Sequence, residues 1–280
     1  MKKKKTEEME KVGNVRGEIL INSLSWRPQK EGRLILDGID CVFEQGNIYG
    51  IIGPNGSGKT SLIRNILRFI VAGEGNIQLE KKDIREYRRK DLARKIALVP
   101  QNTAQDSEFC AYDMVMMGRA PHQKRFDGIS ERDREKVDQA MSLTGCLHLK
   151  DKKVSTLSGG EAQHIATARA IAQDTEWLIL DEPTSSLDVR HQMSLMESLS
   201  LLNTEQGKTI LTVLHDINMA ASYCSHIVMM KDGKIFCSGR THDVMTQENL
   251  SKVYEVEFEV LANPVSGKKY FIPNNGGTGV

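Results

Sequence analysis

Several things are scarce in this sequence, and each shortage removes a class of function. Formal charge nearly cancels, at +1 over 280 residues. So even a balance gives no global positive field to gather nucleic acid, and no nucleic-acid partner is expected. No apolar run approaches the roughly 18 residues that a bilayer-crossing helix needs. If the protein works at a membrane, another chain supplies the crossing. The five cysteines, Cys41, Cys110, Cys146, Cys224 and Cys237, are scattered, and no two form a CxxC pair. That spacing argues against a cysteine metal site and fits a reducing cytosol. The lysine-rich start is followed by no long apolar stretch, so it does not read as a secretory leader.

What remains is ordinary globular composition, 39% hydrophobic and 27% charged, in a length that suits one large domain or two small ones. Residues 2–16 hold six basic and three acidic side chains. We read residues 1–16 as a disordered, solvated tail; weak attraction to an anionic membrane surface is the sharper reading.

Strands are expected at Glu18–Ser25, Ile48–Ile52, Ile96–Gln101 (stopped by Pro100), Trp177–Leu180 and Thr209–Leu214. Leu34–Ile39 is apolar, but Asp37-Gly38 interrupts it as a turn signal. Ile227–Met230 and Lys234–Cys237 read as a hairpin through Asp232-Gly233. Ser61–Ile70 and Ser158–Ala172 have helical spacing of apolar residues, and residues 106–150 read as mainly helical. Strands alternating with helices predict an α/β sheet, with a helical block at about 102–172 inserted into it.

Three stretches carry chemistry. Gly53-Pro-Asn-Gly-Ser-Gly-Lys-Thr60 matches G-x-x-x-x-G-K-[ST] between a strand and a helix. Its glycines let backbone N–H groups turn toward phosphate oxygens. Lys59 reaches the terminal phosphates, and Thr60 offers a hydroxyl to Mg²⁺. Trp177-Leu-Ile-Leu-Asp181-Glu182 is a buried strand ending in two carboxylates at the sheet's carboxyl edge. Asp181 can hold Mg²⁺, and Glu182 can orient or deprotonate a water. Leu157-Ser-Gly-Gly-Glu161 opens a helix. It reads either as an anion site or as a plain Ser158–Glu161 capping box.

Together these motifs resemble the ATP-binding cassette ATPases, from about Glu18 to Gly239. The resemblance implies a P-loop NTPase (RecA-like) core with an antiparallel β subdomain and the inserted α-helical subdomain. One such domain would span 17–240, followed by a C-terminal extension at 241–280. By the same resemblance Gly53–Thr60 is the Walker A loop, Gln101 the Q-loop glutamine and Leu157–Glu161 the signature. Asp181 and Glu182 are Walker B and the catalytic base, Ser185–Asp188 the D-loop and His215 the switch histidine. Glu182, His215 and Gln101 would be catalytic. Thr60, Gln101 and Asp181 would hold Mg²⁺. ATP would be gripped by Trp26 on adenine and by Gly53, Pro54, Asn55, Gly56, Ser57, Gly58, Lys59, Thr60 and Ser61. Ser158, Gly159, Gly160 and Asp188 would act from a second copy in a homodimer. Glu161, Ala162 and His164 depart from the family's usual Gln, Arg and Arg.

One cassette without a membrane span resembles a separate importer subunit, peripheral on the cytoplasmic face of the membrane. Met114–His122 and Glu248–Val260, running on to Asn263-Pro-Val-Ser-Gly267, resemble the iron–siderophore, haem and cobalamin importers. Partners would be integral-membrane permease subunits and, indirectly, an extracytoplasmic substrate-binding protein. A zinc or manganese importer is the transport alternative, and a soluble non-transport cassette ATPase the remaining one.

Overall fold

Alternating burial starts the fold in a computed structural model that describes residues 17–29, 32–101, 107–123, 128–185, 187–262, 264 and 267–274. The expected basic tail and the first residues of the helical block, 102–106, lie outside the described residues. Strand β1 (Glu18–Trp26) buries Ile19 and Ile21 at period 2, and a register shift around Ser23 (φ 47°) turns Leu24 inward as well. It pairs antiparallel with β2 (Leu36–Glu44). The turn expected at Asp37-Gly38 is not there: β2 runs through it. Gly38 adopts φ 62°, its N–H bonds Ser25 Oγ at 2.9 Å, and the pairing register shifts here. The dipeptide makes a bulge.

Strand β3 (Ile48–Ile52) is buried at every position, as a strand covered on both faces must be. The glycine loop follows, then helix α1 (Lys59–Ile66). The helix is shorter than the apolar spacing predicts. Arg68 turns to φ 56°, and its guanidinium is drawn to the carbonyls of Ile84 and Tyr87 at 2.9 and 2.6 Å. Strands β4 (Glu74–Leu79) and β5 (Lys82–Asp83) complete a four-stranded antiparallel sheet ordered β2-β1-β4-β5. Helix α2 (Arg89–Leu92) leads to β6 (Ile96–Val99).

The helical layer comprises α3 (Ala111–Met116), α4 (Glu131–Leu143) and α5 (Gly159–Ala172). Its own small core is built on Val115, Val137, Met141 and Ile165. A buried ion pair, Arg119 Nε to Asp133 Oδ1 at 2.8 Å, joins the end of α3 to α4, and Arg119 also donates to the Ala172 carbonyl at 2.7 Å.

The chain then returns to the main sheet through β7 (Trp177–Leu180), α6 (Val189–Gln206), β8 (Thr209–Val213), α7 (Ile217–Tyr223), β9 (His226–Lys231) and β10 (Lys234–Arg240). The sheet order is β10-β9-β3-β8-β7-β6. All neighbours are parallel except the edge hairpin β9–β10, which turns at Asp232-Gly233 with both residues at positive φ, as expected. The last elements are α8 (Thr241–Val244), α9 (Gln247–Tyr254), β11 (Glu257–Ala262) and β12 (Lys269–Asn274). Their Val244, Leu250, Phe258 and Phe271 are buried in the same core as β3, β7, β8 and β9.

Candidate functional site

Parallel strands deliver their carboxyl ends to one edge of a sheet, and that edge is where α/β proteins gather ligands. Here β3 ends at the glycine loop, β6 at Pro100-Gln101, β7 at Asp181-Glu182 and β8 just before His215. Four chain segments far apart in sequence therefore meet because of strand direction alone.

The loop's glycines are required by its shape. Gly53 has φ 148°, and a Cβ there would sit 2.1 Å from the Met230 carbonyl oxygen. Gly58, at φ 101°, caps α1 without a side-chain bond, so the first N–H groups of the helix stay available to an anion. Ser57 Oγ is buried with no protein partner, an orphaned polar atom at a place where phosphate oxygens would lie. The Lys59 side chain turns back to the Gly53 and Pro54 carbonyls, at 2.8 and 3.0 Å. Burial pushes its ammonium pKa down, opposed by the nearby Glu182 and Asp181. Pro54 and Asn55 form the crown of the loop, and Ser61 accepts from Asn65 Nδ2 at 2.9 Å through its carbonyl.

Thr60 Oγ1 donates to Asp181 Oδ1 at 3.1 Å, bringing together the two oxygen groups expected at a metal. Burial raises the Asp181 pKa; the Thr60 hydrogen bond works against that shift, and the Glu182 charge adds to it. Glu182 adopts φ 51°, a left-handed conformation that side chains rarely take. One of its oxygens accepts from Gln101 Nε2 at 2.6 Å; the other lies 2.8 Å from His215 Nε2. The carboxylate is thus bracketed by residues from the ends of two other strands.

The remaining predicted residues bond to other partners. Ser158 caps α5 in a capping box: Glu161 N–H donates to Ser158 Oγ at 3.3 Å, and Ser158 N–H to Glu161 Oε2 at 2.9 Å. Gly159 and Gly160 form the first turn above it. Asp188 caps α6 and accepts from both His191 N–H and His191 Nδ1, at 2.9 and 2.8 Å. Half-buried Trp26 ends β1. Its carbonyl takes the Ile35 N–H at 2.9 Å, and the Ile35 carbonyl in turn backs Gly58, so the indole's strand adjoins the loop.

Comparison with known proteins fits this geometry. The family model described as ABC transporter matches residues 36–185, which covers the loop, the helical layer and the Asp181-Glu182 edge. This chain is an ABC transporter ATPase. It is 37% identical to the ferric enterobactin transport ATP-binding protein FepC of Escherichia coli (strain K12), over 85% of this chain and 88% of that one. It is 35% identical to the iron(3+)-hydroxamate import ATP-binding protein FhuC of Bacillus subtilis (strain 168), over 89% and 93%. Among solved structures, an inward-facing transporter described as of the metal-chelate ABC type superposes with a TM-score of 0.80 at 25% identity, covering 93% of this chain and 99% of that chain.

The ABC ATPase has the expected P-loop NTPase core with its antiparallel sheet and helical layer. Around the predicted residues pack others that no motif marks. Gln192 Nε2 holds the Thr184 and Leu187 carbonyls at 3.1 and 3.0 Å, and the His191 ring packs on Gly160. The only sequence signal for His191 was its place three residues after the capping Asp188. His164 is buried, with Nδ1 2.8 Å from the Thr144 carbonyl and its ring edge-on to His191 at 5.5 Å. Among the described residues no helix is long and apolar enough to cross a membrane.

Proposed function

We propose that this ABC ATPase energises an importer of iron chelates (siderophores), haem or cobalamin, acting through a separate permease. The observation that carries the hydrolytic part is the Glu182 carboxylate, bracketed by Gln101 and His215 beside the Lys59 loop. A carboxylate held from both sides keeps its free lone pairs oriented toward an attacking water and accepts the proton that the water loses. Lys59 and the first N–H groups of α1 bind the phosphates, and Trp26 stacks on adenine.

The donor set fits Mg²⁺. Thr60 and Asp181 are hard oxygen ligands 3.1 Å apart, Gln101 adds a carbonyl, and Mg²⁺ characteristically completes its shell with water and phosphate. When bound, Mg²⁺ neutralises phosphate charge.

Ser158, Gly159, Gly160 and Asp188 serve the nucleotide of a second copy in a homodimer. The half-exposed N-terminus of α5, with no acidic group beyond its own capping Glu161 in the first turn, supports this. Permease docking is supported by a groove of about 720 Å³ between the sheet and the helical layer, lined by Phe69, Val71, Pro100, Met117 and Arg169. Phe69 and Val71 are more than half exposed, and Pro100 adjoins Gln101, so a docked segment would press on the site. The importer reading is supported by similarity over most of the chain to relatives named for ferric enterobactin and iron(3+)-hydroxamate. The subunit would sit on the cytoplasmic face of the membrane, served outside by a substrate-binding protein.

The test is reconstitution with the permease in vesicles. A siderophore-, haem- or cobalamin-loaded binding protein should stimulate ATP hydrolysis. Stimulation by zinc or manganese systems alone would overturn the substrate class, and hydrolysis indifferent to any permease would overturn transport itself.

A further inference from the structure

The segment after β10 is fastened behind two of the site's loops. On one side, α7 starts at the Asp216 cap, immediately after His215, with Asp216 Oδ1 accepting the N–H groups of Asn218 and Met219 at 2.8 and 2.9 Å. The Asn218 side chain then turns outward to β12. Its Nδ2 donates to the Phe271 carbonyl at 3.1 Å, and its Oδ1 accepts the Phe271 N–H at 2.8 Å. One amide thereby satisfies both backbone groups of Phe271, the pairing a neighbouring strand would make. Phe271 faces Val260 across the hairpin. Both of its polar groups point away from β11, so Asn218 closes what would otherwise be an open sheet edge. The Phe271 ring is 2% exposed and belongs to the core that includes Ala220 and Cys224 of the α7 region.

On the other side, Lys231 Nζ donates to the Lys252 carbonyl at 2.6 Å and pairs with Glu255 at 2.8 Å. It ties the end of α9 to the end of β9. The residue before it, Met230, supplies the carbonyl that occupies the space where Gly53 would carry a side chain. The Tyr254 hydroxyl is buried beside the Gly53 backbone, and burial pushes its pKa up to about 12 against the opposing influence of that backbone.

We propose that Asn218 is a positioning residue for hydrolysis: by clamping β12 to the start of α7, it holds His215 at Glu182, so the C-terminal hairpin is a working part of the ATP site. The inference rests on the reading of His215 and Glu182 given above. It assigns a task to β11 and β12 that no motif in the sequence discloses. The mechanism is geometric. His215 reaches the site on a short segment between β8 and α7, and its side chain is nearly half exposed. Packing around the imidazole is therefore too sparse to fix it, and the segment's far end must be anchored. Near-attack geometry is sensitive to displacements of about 1 Å.

The experiment is steady-state hydrolysis by the full chain with Asn218→Ala, read beside ATP binding, thermal unfolding and the NMR resonances of the His215 ring. We expect kcat to fall about ten-fold, KM for ATP and nucleotide affinity to stay within about two-fold, and the His215 ring resonances to shift. Asn218→Asp keeps the oxygen that faces the Phe271 N–H but sets a carboxylate against its carbonyl; it should fall between wild type and Asn218→Ala, and it serves if the alanine variant does not fold. An unchanged kcat overturns the proposal. So does a lower kcat with unmoved His215 resonances, because the loss would then bypass His215. Wild-type hydrolysis by His215→Ala is a separate result that would overturn the role given to His215 itself.

Discussion

The Nε2 of His215 lies 2.8 Å from Oε1 of Glu182. That contact spans the ends of two neighbouring parallel strands and orients the carboxylate. Glu182→Gln keeps the side chain's size but removes its ability to take a proton. Hydrolysis should drop about 100-fold or more, within the span of general-base effects, while ATP still binds. Phosphate release and fluorescent-nucleotide titration on the same sample check this. Normal turnover would remove Glu182 from the mechanism.

Asp181 gives a prediction about stability without nucleotide. Burial raises its folded-state pKa above the unfolded value. The folded chain therefore holds a proton more tightly, and stability declines as pH rises through that window. At neutral pH the ionised carboxylate is a standing penalty. Asp181→Asn should raise the melting temperature of nucleotide-free protein at pH 7, with the gain vanishing below the ordinary carboxylate range. Melting curves across pH 3–8 would show it, and a variant less stable at pH 7 would contradict it.

His164 predicts the opposite slope. Burial lowers its pKa from the usual 6.5, with the Thr144 carbonyl opposing. Below the unfolded value the unfolded chain binds the proton that the folded chain resists. Stability from this group is present above that value and lost as pH falls through the window beneath it. His164→Gln should flatten the loss of stability between about pH 6.5 and 5. Denaturant titrations at those two pH values measure it; an unchanged slope would assign the acid sensitivity elsewhere.

The buried pair of Arg119 and Asp133 supports the helical layer. Ser130 and Arg119 hold the Asp133 pKa down to about 2 against the opposing effect of burial. Arg119→Met strands a buried carboxylate and should lower stability by about 3 kcal/mol or more. The double variant Arg119→Met, Asp133→Leu should recover much of it. Failure of the second change to rescue would show that the other bonds of the pair dominate: Arg119 to the Ala172 carbonyl and Ser130 to Asp133.

How far the sequence could be read depends on where the determinants lie. Ile48–Ile52 and Trp177–Leu180 declare themselves because a strand covered on both faces is continuously apolar. The site residues at their ends follow from that. Asp37-Gly38 misleads because one dipeptide serves a turn or a bulge, and the bulge is held by the hydroxyl of Ser25, thirteen residues before Gly38. Helix α6 passes unnoticed because Ser194, Ser198 and Ser200 dilute its apolar spacing, and serine favours caps and turns over helix interiors. Apart from the Lys231–Glu255 ion pair, the ties from Asn218 and Lys231 to the C-terminal segment go to backbone carbonyls and an amide, which no motif can mark.

Lys59 rests on the Gly53 and Pro54 carbonyls, and so the loop carries an internal rival to its own ligand. An ammonium has three donors, so a phosphate oxygen bound by Lys59, in the reading proposed above, would compete with these neutral acceptors or take the N–H that they leave. The same carbonyls would take the lysine back when a bound phosphate leaves. A loop built this way keeps its buried cation on backbone oxygens and never leaves it bare.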